Sequence, residues 1–553
     1  PQSAVVAGAT VTVTNKGTTA ARTTTTDDAG NYIVPNLDFG EYTVTIEAKG
    51  FRKVAFQSVT LRARETVRLD ARLEVAGTTA ETVTITAGSG ITTEVPTIAS
   101  TKSGRELLEL PVPFRASGTT SPISTLTTQP GVQIDNSGSL SLAGSQRYST
   151  TVTIDGISTV SVRSNGPIGE LFPSVESIAE IRVSQINNNA EFAQSGDITT
   201  ISKAGTNEYH GNVFWYHQNS ALDATNPFAP VNSATGLRSK PFKVSNDFGV
   251  SAGGPVRLPW LYNGRDKTFF FATYESGRLR QQNTRTFSVP PTAWRTGDLS
   301  SITAVIRDPL TGAQFPGNRI PANRISEVSR KTLDLYYPQP NTGAATATAN
   351  NLTGLFPAPT DSDQFDVRID QNLTQNQSVF GRFTYKDRSV SSFENQILPP
   401  IGAVMRPEKV WAFTGAYNFV IRPNLLNEFR GGFSGRNVSK DFGLKGADAV
   451  RQLGIQGLSS NLPASPGIPN INVTGFTTTG ISRGFTTTDR TYQFLDNVTW
   501  TKGRHTIKFG ADLRRLSTTD LLSFTTGDDF GDFTFDGTVT NAVIGHPFAA
   551  FLL

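Results

Sequence analysis

Cysteine is absent from this 553-residue chain, and histidine (4), methionine (1) and tryptophan (5) are scarce. Without thiols there is no disulfide framework, no thiolate metal site and no cysteine nucleophile. His210, His217, His505 and His546 contain no HExxH or other close pair. His210 and His217 share one strand-like stretch, but at ~3.4 Å per residue they stand about 24 Å apart, too far to share a metal. No apolar run reaches the roughly 18 residues of a transmembrane helix. Charge is also low: DEKR residues are 17% of the chain, against about 25% in ordinary soluble domains. The 50 Lys+Arg and 46 Asp+Glu nearly cancel, leaving +4. With no run of five basic residues, a nucleic-acid partner is not expected. Signal-peptide features are missing too, because Pro1 opens directly on strand-like sequence; the rest of the pattern suits a leader that has been removed.

Catalytic motifs are equally missing. There is no G-x-S-x-G elbow, no G-x-x-x-x-G-K-[ST] loop and no G-x-G-x-x-G in a βαβ context. Asp528, Asp529, Asp532 and Asp536 lack the spacing of an EF-hand loop and read as a solvated acidic loop. The expectation is a protein that is not an enzyme and carries neither cofactor nor metal. What the chain has is Thr, Ser, Asn and 50 Gly, alongside 37% hydrophobic residues. Those polar residues favour turns and solvated strand faces, so the fold class is mostly β.

Residues 1–76 read as a small β-sandwich. Val11 and Val13 alternate with threonines, the cluster 27–31 marks a turn before Tyr32-Ile33-Val34, and Tyr42, Val44 and Ile46 alternate with polar residues after Gly40. Val67, Leu69, Ala71 and Leu73 alternate with Arg68, Asp70, Arg72 and Glu74, one face buried and one solvated. The phrase DDAGNYIVPNLDFGEYTVTIEAKGF resembles the carboxypeptidase regulatory-like (transthyretin-like) domain. Residues 77–102 form a Gly/Thr-rich linker around one short alternation, Glu81-Thr82-Val83-Thr84-Ile85-Thr86-Ala87.

Residues 103–208 are mixed α+β. Ser103 and Glu106 make an S-x-x-E capping box ahead of a helix ended by Pro111. A second short helix is expected after Pro173, with Val175, Ile178 and Ala179 on one face. Between the two, Asp155-Gly156 is a type I′ hairpin signal flanked by Val152–Ile154 and Ile157–Val160. From 209 to 553, aromatic-rich segments of about ten residues alternate with long polar loops, the length and period of tilted transmembrane β-strands. Nine such segments fall near 209–218, 245–253, 267–276, 364–371, 378–387, 410–419, 425–436, 491–501 and 505–514.

Several phrases resemble TonB-dependent outer-membrane receptors of the Oar-like branch. They are Gln129-Pro130-Gly131-Val132, Gly144-Ser145-Gln146-Arg147 and Thr153-Ile154-Asp155-Gly156 in the plug region, then Lys203 to Gly211 at the plug-to-barrel junction. Gly253-Gly254-Pro255-Val256, Asp266 to Phe271, Gly297 to Ser300, Gly503-Arg504-His505 and Lys508-Phe509-Gly510 continue the likeness into the barrel. The resemblance implies a regulatory-like sandwich, a linker, a small plug and the first part of a large transmembrane antiparallel β-barrel. Nine strands fall short of the roughly 22 in large transporters, so the chain reads as a fragment.

The resemblance further implies a transporter or receptor in the bacterial outer membrane, taking up or exporting an extracellular ligand not readable from the residues. Glu81 to Ala87 would be the TonB-box-like strand offered to a TonB-type periplasmic energy-coupling protein by β-strand addition. Arg147, Asp155 and Gly156 are the plug candidates, Arg147 as one side of a plug–barrel ion pair. The alternative is an outer-membrane adhesion or surface-assembly protein without active transport.

Two structural expectations follow. Trp411, Phe413 and Phe419, with Ile507, Phe509 and Leu513, face lipid, while Thr414, Asn418, Lys508 and Asp512 face the lumen or plug. The reverse would put Lys508 in hydrocarbon at up to roughly 2–4 kcal/mol. Within the long 286–363 connection, residues 323–337 form a helix burying Ile325, Val328, Leu335 and Tyr336 against neighbouring loops, ended by Pro338.

Overall fold

The computed structural model describes residues 4–553 apart from 36, 63–64, 77–82, 86–97, 111–121, 135–139, 148, 162–165, 189, 193, 195, 229–235, 239, 394–397, 399–402, 443–445, 459–461, 463–466, 480–484, 503–504, 521–529 and 537–543. The N-terminal domain is one five-stranded sheet built from β1 (Thr10–Asn15), β2 (Ala21–Thr25), β3 (Gly40–Glu47), β4 (Val54–Leu61) and β5 (Val83–Ile85), in the order β2-β1-β3-β4-β5. Val11, Val13, Tyr42, Val44, Ile46 and Phe56 form its core. The second layer of the sandwich is made by extended chain without a ladder. Tyr32 and Val34, and then Val67, Leu69, Ala71 and Leu73, pack on the core as their alternation implies, but Phe51–Val75 is an isolated bridge rather than part of a strand.

An inner domain follows. Its mixed sheet contains β6 (Ile98–Ser103), β7 (Thr150–Ile154), β8 (Ile157–Ser158), β9 (Ile178–Ile186) and β10 (Gly196–Ser202), in the order β8-β7-β10-β9-β6. Residues 98–102, counted above as linker, are therefore an edge strand of this sheet. Helix α1 (Gly104–Glu109) opens on the expected capping box: the Glu106 N–H donates to the Ser103 Oγ at 3.2 Å, and the Ser103 N–H to the Glu106 carboxylate at 2.7 Å. The helix expected after Pro173 is only a single turn, Val175–Ser177, capped by Ser174. Ile178 and Ala179 instead start β9, because ladders on both sides of that strand satisfy more backbone than a short helix could.

From His210 the chain builds one large antiparallel sheet. Its nine consecutive strands are β11 (His210–Asn219), β12 (Lys243–Pro255), β13 (Thr268–Phe287), β14 (Thr360–Thr374), β15 (Gln377–Phe393), β16 (Ala403–Arg422), β17 (Leu425–Phe442), β18 (Phe485–Lys502) and β19 (His505–Asp520), each paired with the next. Among the described residues the sheet does not close. One rim carries short turns such as 375–376 and 423–424, and the other carries the long loops. Many strands are far longer than ten residues; β13 and β16 each have 20. The sequence pattern shows only part of each because outward positions are mostly apolar near the tight-turn rim and mostly polar beyond it. On β15, Val379, Phe383 and Tyr385 give way to Asp387, Ser389 and Ser391; on β16, Phe419 to Trp411 give way to Lys409. At ~3.4 Å per residue the apolar stretch is about 20–27 Å long, close to the roughly 25 Å band of an outer-membrane barrel.

The two faces of this sheet are inverted relative to a soluble protein. Phe413 is 51% exposed, as are Phe365, Ile369, Phe383, Phe494, Ile507, Phe509 and Leu513 to similar degrees, while Lys386 is 1% exposed. Trp411 and Phe419 are half-buried on the same outward face. Thr414 is buried on the opposite face, Asp512 there accepts from Gln493, and Lys508 pairs with Glu191 of the inner domain. The expected assignment of faces therefore holds.

The long loops have a hydrophobic core of their own, uniting Phe287, Trp294, Leu333, Tyr337, Leu453 and Phe548 from segments distant in sequence. Three helices, α2 (Glu327–Tyr336), α3 (Gly446–Leu453) and α4 (Pro547–Leu552), contribute to it. The Ser326 N–H donates to the Leu552 carbonyl at 2.7 Å, and the Ser329 hydroxyl donates to that of Phe551. Helix α2 ends at Tyr336 as expected, with Tyr337 extended ahead of Pro338. Tyr336 is buried and Ile325 and Val328 pack on the core as expected, but Leu335 is exposed, and Ser329, Thr332 and Leu333 are buried instead. The serine bonds to α4 turn the helix, so polar side chains share its contact face. Leu333→Ala should then destabilise the loop layer by about 2–5 kcal/mol, against about 0.5 kcal/mol or less for Leu335→Ala. Hydrogen exchange at amides 327–336 in the intact protein measures both; equal effects would contradict this packing.

Candidate functional site

The inner domain meets the polar face of the large sheet first through a tight turn. Asp155 and Gly156 are the two residues of the β7–β8 hairpin, with φ of 49° and 87°, and Ile154 pairs with Ile157 across them. This is the left-handed pair a type I′ turn needs, which asparagine, aspartate and glycine adopt most readily. On the sheet, Arg368 of β14 and Arg382 of β15 are direct cross-strand partners, and the same row runs on to Thr414, Gly432 and Gln493. The hairpin lies along this row. The Asp155 carboxylate is 2.7 Å from Arg382 Nε and 3.6 Å from Arg368 Nη1. Ile157 covers Gly432, where a Cβ would stand 2.6 Å from its side chain. The Ser158 N–H donates to Gln493 Oε1 at 2.8 Å.

Like charges placed directly opposite each other on neighbouring strands repel. Here both arginines are buried as well, so their row requires an anion. Asp370, two residues from Arg368, supplies one, with Arg368 Nη2 at 2.7 Å; Asp155 supplies the other and touches both. Ser202 completes the shell, donating its N–H at 3.0 Å and its hydroxyl at 2.8 Å to Asp155, while its carbonyl accepts from Arg368 at 3.1 Å. Arg430 Nη1 donates to the Asp155 carbonyl at 3.3 Å. Burial pushes the Asp155 carboxyl up, but the Arg382 and Arg368 guanidiniums and the Ser202 bonds outweigh it, so the group titrates below the ordinary aspartate range.

A second contact lies nearer the long-loop rim. Glu170, in the turn Gly169–Leu171, pairs with Lys386 at 2.8 Å and Arg388 at 3.0 Å, both on β15. Burial again opposes its ionisation, and Lys386 and Arg388 reverse that, leaving its carboxyl below the usual value. Ile168 and Leu171 beside it pack on Val410 and Ala412 of β16. Between the two ion pairs, the Ser174 N–H donates to Asp366 at 3.0 Å.

Of the residues singled out in the sequence, Asp155 and Gly156 form the centre of this interface. Arg147 is exposed on the segment following Leu140–Leu142. Val83–Ile85 forms β5, parallel to β4 with Val54 opposite Val83, whereas Glu81, Thr82, Thr86 and Ala87 lie outside the described residues. Sequence reasoning missed Arg382, Glu170 and Lys386. For Arg382 and Lys386 the one available signal was a charge at an inward position of a period-2 strand, of the kind visible for Arg368 beside Val367 and Ile369; Glu170, in a turn, had none. Among the described residues no cluster of acidic or histidine side chains could hold a metal.

These features agree with comparisons to known proteins. The family described as "Outer membrane beta barrel domain" matches residues 201–553, and that described as "Carboxypeptidase regulatory-like domain" matches residues 1–74. The TonB-dependent transporter Oar of Myxococcus xanthus is 29% identical over 293 residues, which are 50% of this chain and 26% of that relative's length. Among solved structures, the outer membrane transporter YddB from Escherichia coli superposes with a TM-score of 0.45 at 13% identity, covering 75% of this chain and 47% of that one. The siderophore receptor PirA from Acinetobacter baumannii gives 0.41 at 13% identity, covering 76% and 48%. The relatives are described as transporters and receptors, not as enzymes.

Removing the Asp155 charge while keeping its shape tests the interface. Asp155→Asn leaves two buried guanidiniums undercompensated and should destabilise inner-domain seating by about 3–5 kcal/mol, read as faster proteolysis of residues 98–202 with the large sheet intact. Gly156→Ala should act similarly, since its φ is +87° and a Cβ would stand 2.3 Å from Arg430 Nη1. Because folding lowers the Asp155 pKa, its stabilisation is present above the unfolded value of about 3.9 and is lost as pH falls through the lower folded value. Seating should therefore loosen only in acid below that range. Unchanged proteolysis in both variants would show that the turn does not hold the domain.

Proposed function

Since this chain belongs to the outer membrane β-barrel domain family and its place is the bacterial outer membrane, we propose that it is the sandwich, plug and early barrel of a TonB-dependent receptor. The inner domain is the plug, the tight-turn rim faces the periplasm and the looped rim faces outside. The observation that carries this reading is the inverted sheet: an exposed apolar band about 20–27 Å tall, backed by a polar face on which a separate domain is seated through buried ion pairs. The exposed band then meets outer-membrane lipid.

In this reading a ligand binds outside, within reach of the loop layer, and displaces the plug's contacts. An interface of charges and hydrogen bonds suits that task. Its pairs exchange for water as they part, whereas a greasy interface would expose apolar surface on every cycle. The periplasmic handle is the 81–87 segment. Val83–Ile85 rests parallel to β4 of its own N-terminal sheet, and a TonB-type coupling protein would take it by strand addition. Three paired residues make a short ladder, so transfer to a partner strand exchanges main-chain bonds of the same kind.

Deleting residues 81–87 in the intact receptor separates transport from the alternative role in adhesion or surface assembly. Transport predicts loss of energy-dependent ligand accumulation with surface binding retained. Accumulation at the parental rate would remove the coupling role of the segment, whereas no energy-dependent accumulation even in the parent would leave the adhesion reading in place of transport.

A further inference from the structure

Between β12 and β13, at the tight-turn rim, the chain makes a small extra hairpin whose strands are Arg257–Leu258 and Tyr262–Asn263. Its tip is apolar and projects into solvent: Trp260 is 105% exposed, with Leu258 and Leu261 also exposed. Trp260 has φ 67°, a left-handed conformation that glycine or asparagine adopts easily and a bulky residue rarely does. A large apolar ring at such a position, fully exposed, is unexplained by the fold itself.

The direction of the hairpin is set by Tyr262. Its hydroxyl bonds Thr268 Oγ1, which in turn bonds Gln371. Thr268 shares its face of β13 with Phe270 and Tyr274, and Gln371 shares its face of β14 with Ile369 and Phe365, so the hairpin folds onto the outward apolar side of the sheet. Its base is tight. The Gly264 N–H donates to the Val256 carbonyl at 2.9 Å, and a Cβ at Gly264 would stand 2.6 Å from that same oxygen. The surrounding charge is basic, with Arg257, Arg265 and Lys267 exposed. The neighbouring carboxylate, Asp266, is held by Asn207 and Thr19 on the side of the N-terminal domain.

We propose that residues 257–263 are an interfacial anchor, with Trp260, Leu258 and Leu261 inserted at the headgroup–acyl boundary of the periplasmic leaflet and Arg257 and Arg265 on anionic phospholipid headgroups. This rests on the barrel reading of the large sheet. Three observations converge on that occupant: continuity with the outward apolar band, an amphipathic Trp/Tyr pair of the type enriched at membrane interfaces, and basic side chains complementary to acidic lipid. The anchor fixes the height and tilt of the first barrel strands, next to the junction where the inner domain and the N-terminal domain attach.

Residues 1–553 contain no cysteine, so each substitution adds one labelling site to this part of the chain. Trp260→Cys, Phe413→Cys and Leu310→Cys variants of the intact receptor are labelled with an environment-sensitive fluorophore in vesicles of phosphatidylethanolamine and phosphatidylglycerol. Brominated lipid should quench the label at 260 and at 413, more deeply at 413, and leave the long-loop label at 310 unchanged. Arg257→Gln with Arg265→Gln should abolish any gain in quenching at 260 on adding phosphatidylglycerol. Quenching at 413 with none at 260 overturns the anchor and leaves the barrel reading standing. No quenching at 413 removes the barrel reading and the anchor with it. Protection of 260 in native membranes without lipid quenching in vesicles assigns the tip to a protein partner, which also overturns the anchor.

Discussion

Two arginines facing each other across adjacent strands are the constraint around which this molecule is arranged. Arg368 and Arg382 are buried, register-paired and of one sign. A sheet with that row and no counter-charge would be strained electrostatically or would take water into its interior. The inner domain supplies Asp155 at the tip of a two-residue turn, the narrowest element the chain can build. Seating of that domain and neutrality of the row are therefore the same event. The hairpin needs Gly156 because Arg430 leaves no room for a side chain, and it needs Ile157 and Ser158 in the register set by Gly432 and Gln493.

The second organising fact is the solvent preference of the large sheet. A soluble β-sandwich buries its apolar face and solvates its polar one; here the exposed face is aromatic, and the covered face carries Lys386, Arg382, Asp366 and Gln493. Such a surface is stable only where the outside is less polar than the inside, as in an outer-membrane barrel. The band also has a ceiling. Outward Asp387 and Lys409 pair at 3.5 Å where the aromatic positions stop, and above them the strands continue toward the long-loop rim. That extension supports the loop layer, whose core joins segments hundreds of residues apart.

Legibility in the sequence followed the range of the forces involved. Most strands and their order were readable because pleat alternation is local: nine aromatic segments gave the nine strands of the main ladder, while a tenth, Leu352–Pro357, which pairs with β13, was missed. The capping box at Ser103 and the turn at Asp155-Gly156 were readable for the same reason, each needing only adjacent residues. The single turn at Val175 was misread as a helix, since the ladders that claim Ile178 come from strands far away in sequence. On α2, Ile325, Val328 and Tyr336 pack as expected but Leu335 was put where Leu333 belongs, because the partner α4 is likewise distant and offers carbonyls as well as apolar groups.

By itself the sequence determined the chemical class of this protein. The dyad periodicity and the phrases that resemble outer-membrane receptors together specify a β-rich membrane-embedded chain with an N-terminal sandwich. Tertiary structure alone decided which charges meet. Asp155 with Arg382, Glu170 with Lys386 and Ser158 with Gln493 are separated by more than two hundred residues each, and no local pattern distinguishes an inward arginine that awaits a partner from one that faces water. Only packing the inner domain against the sheet removes the water and turns those isolated charges into an interface.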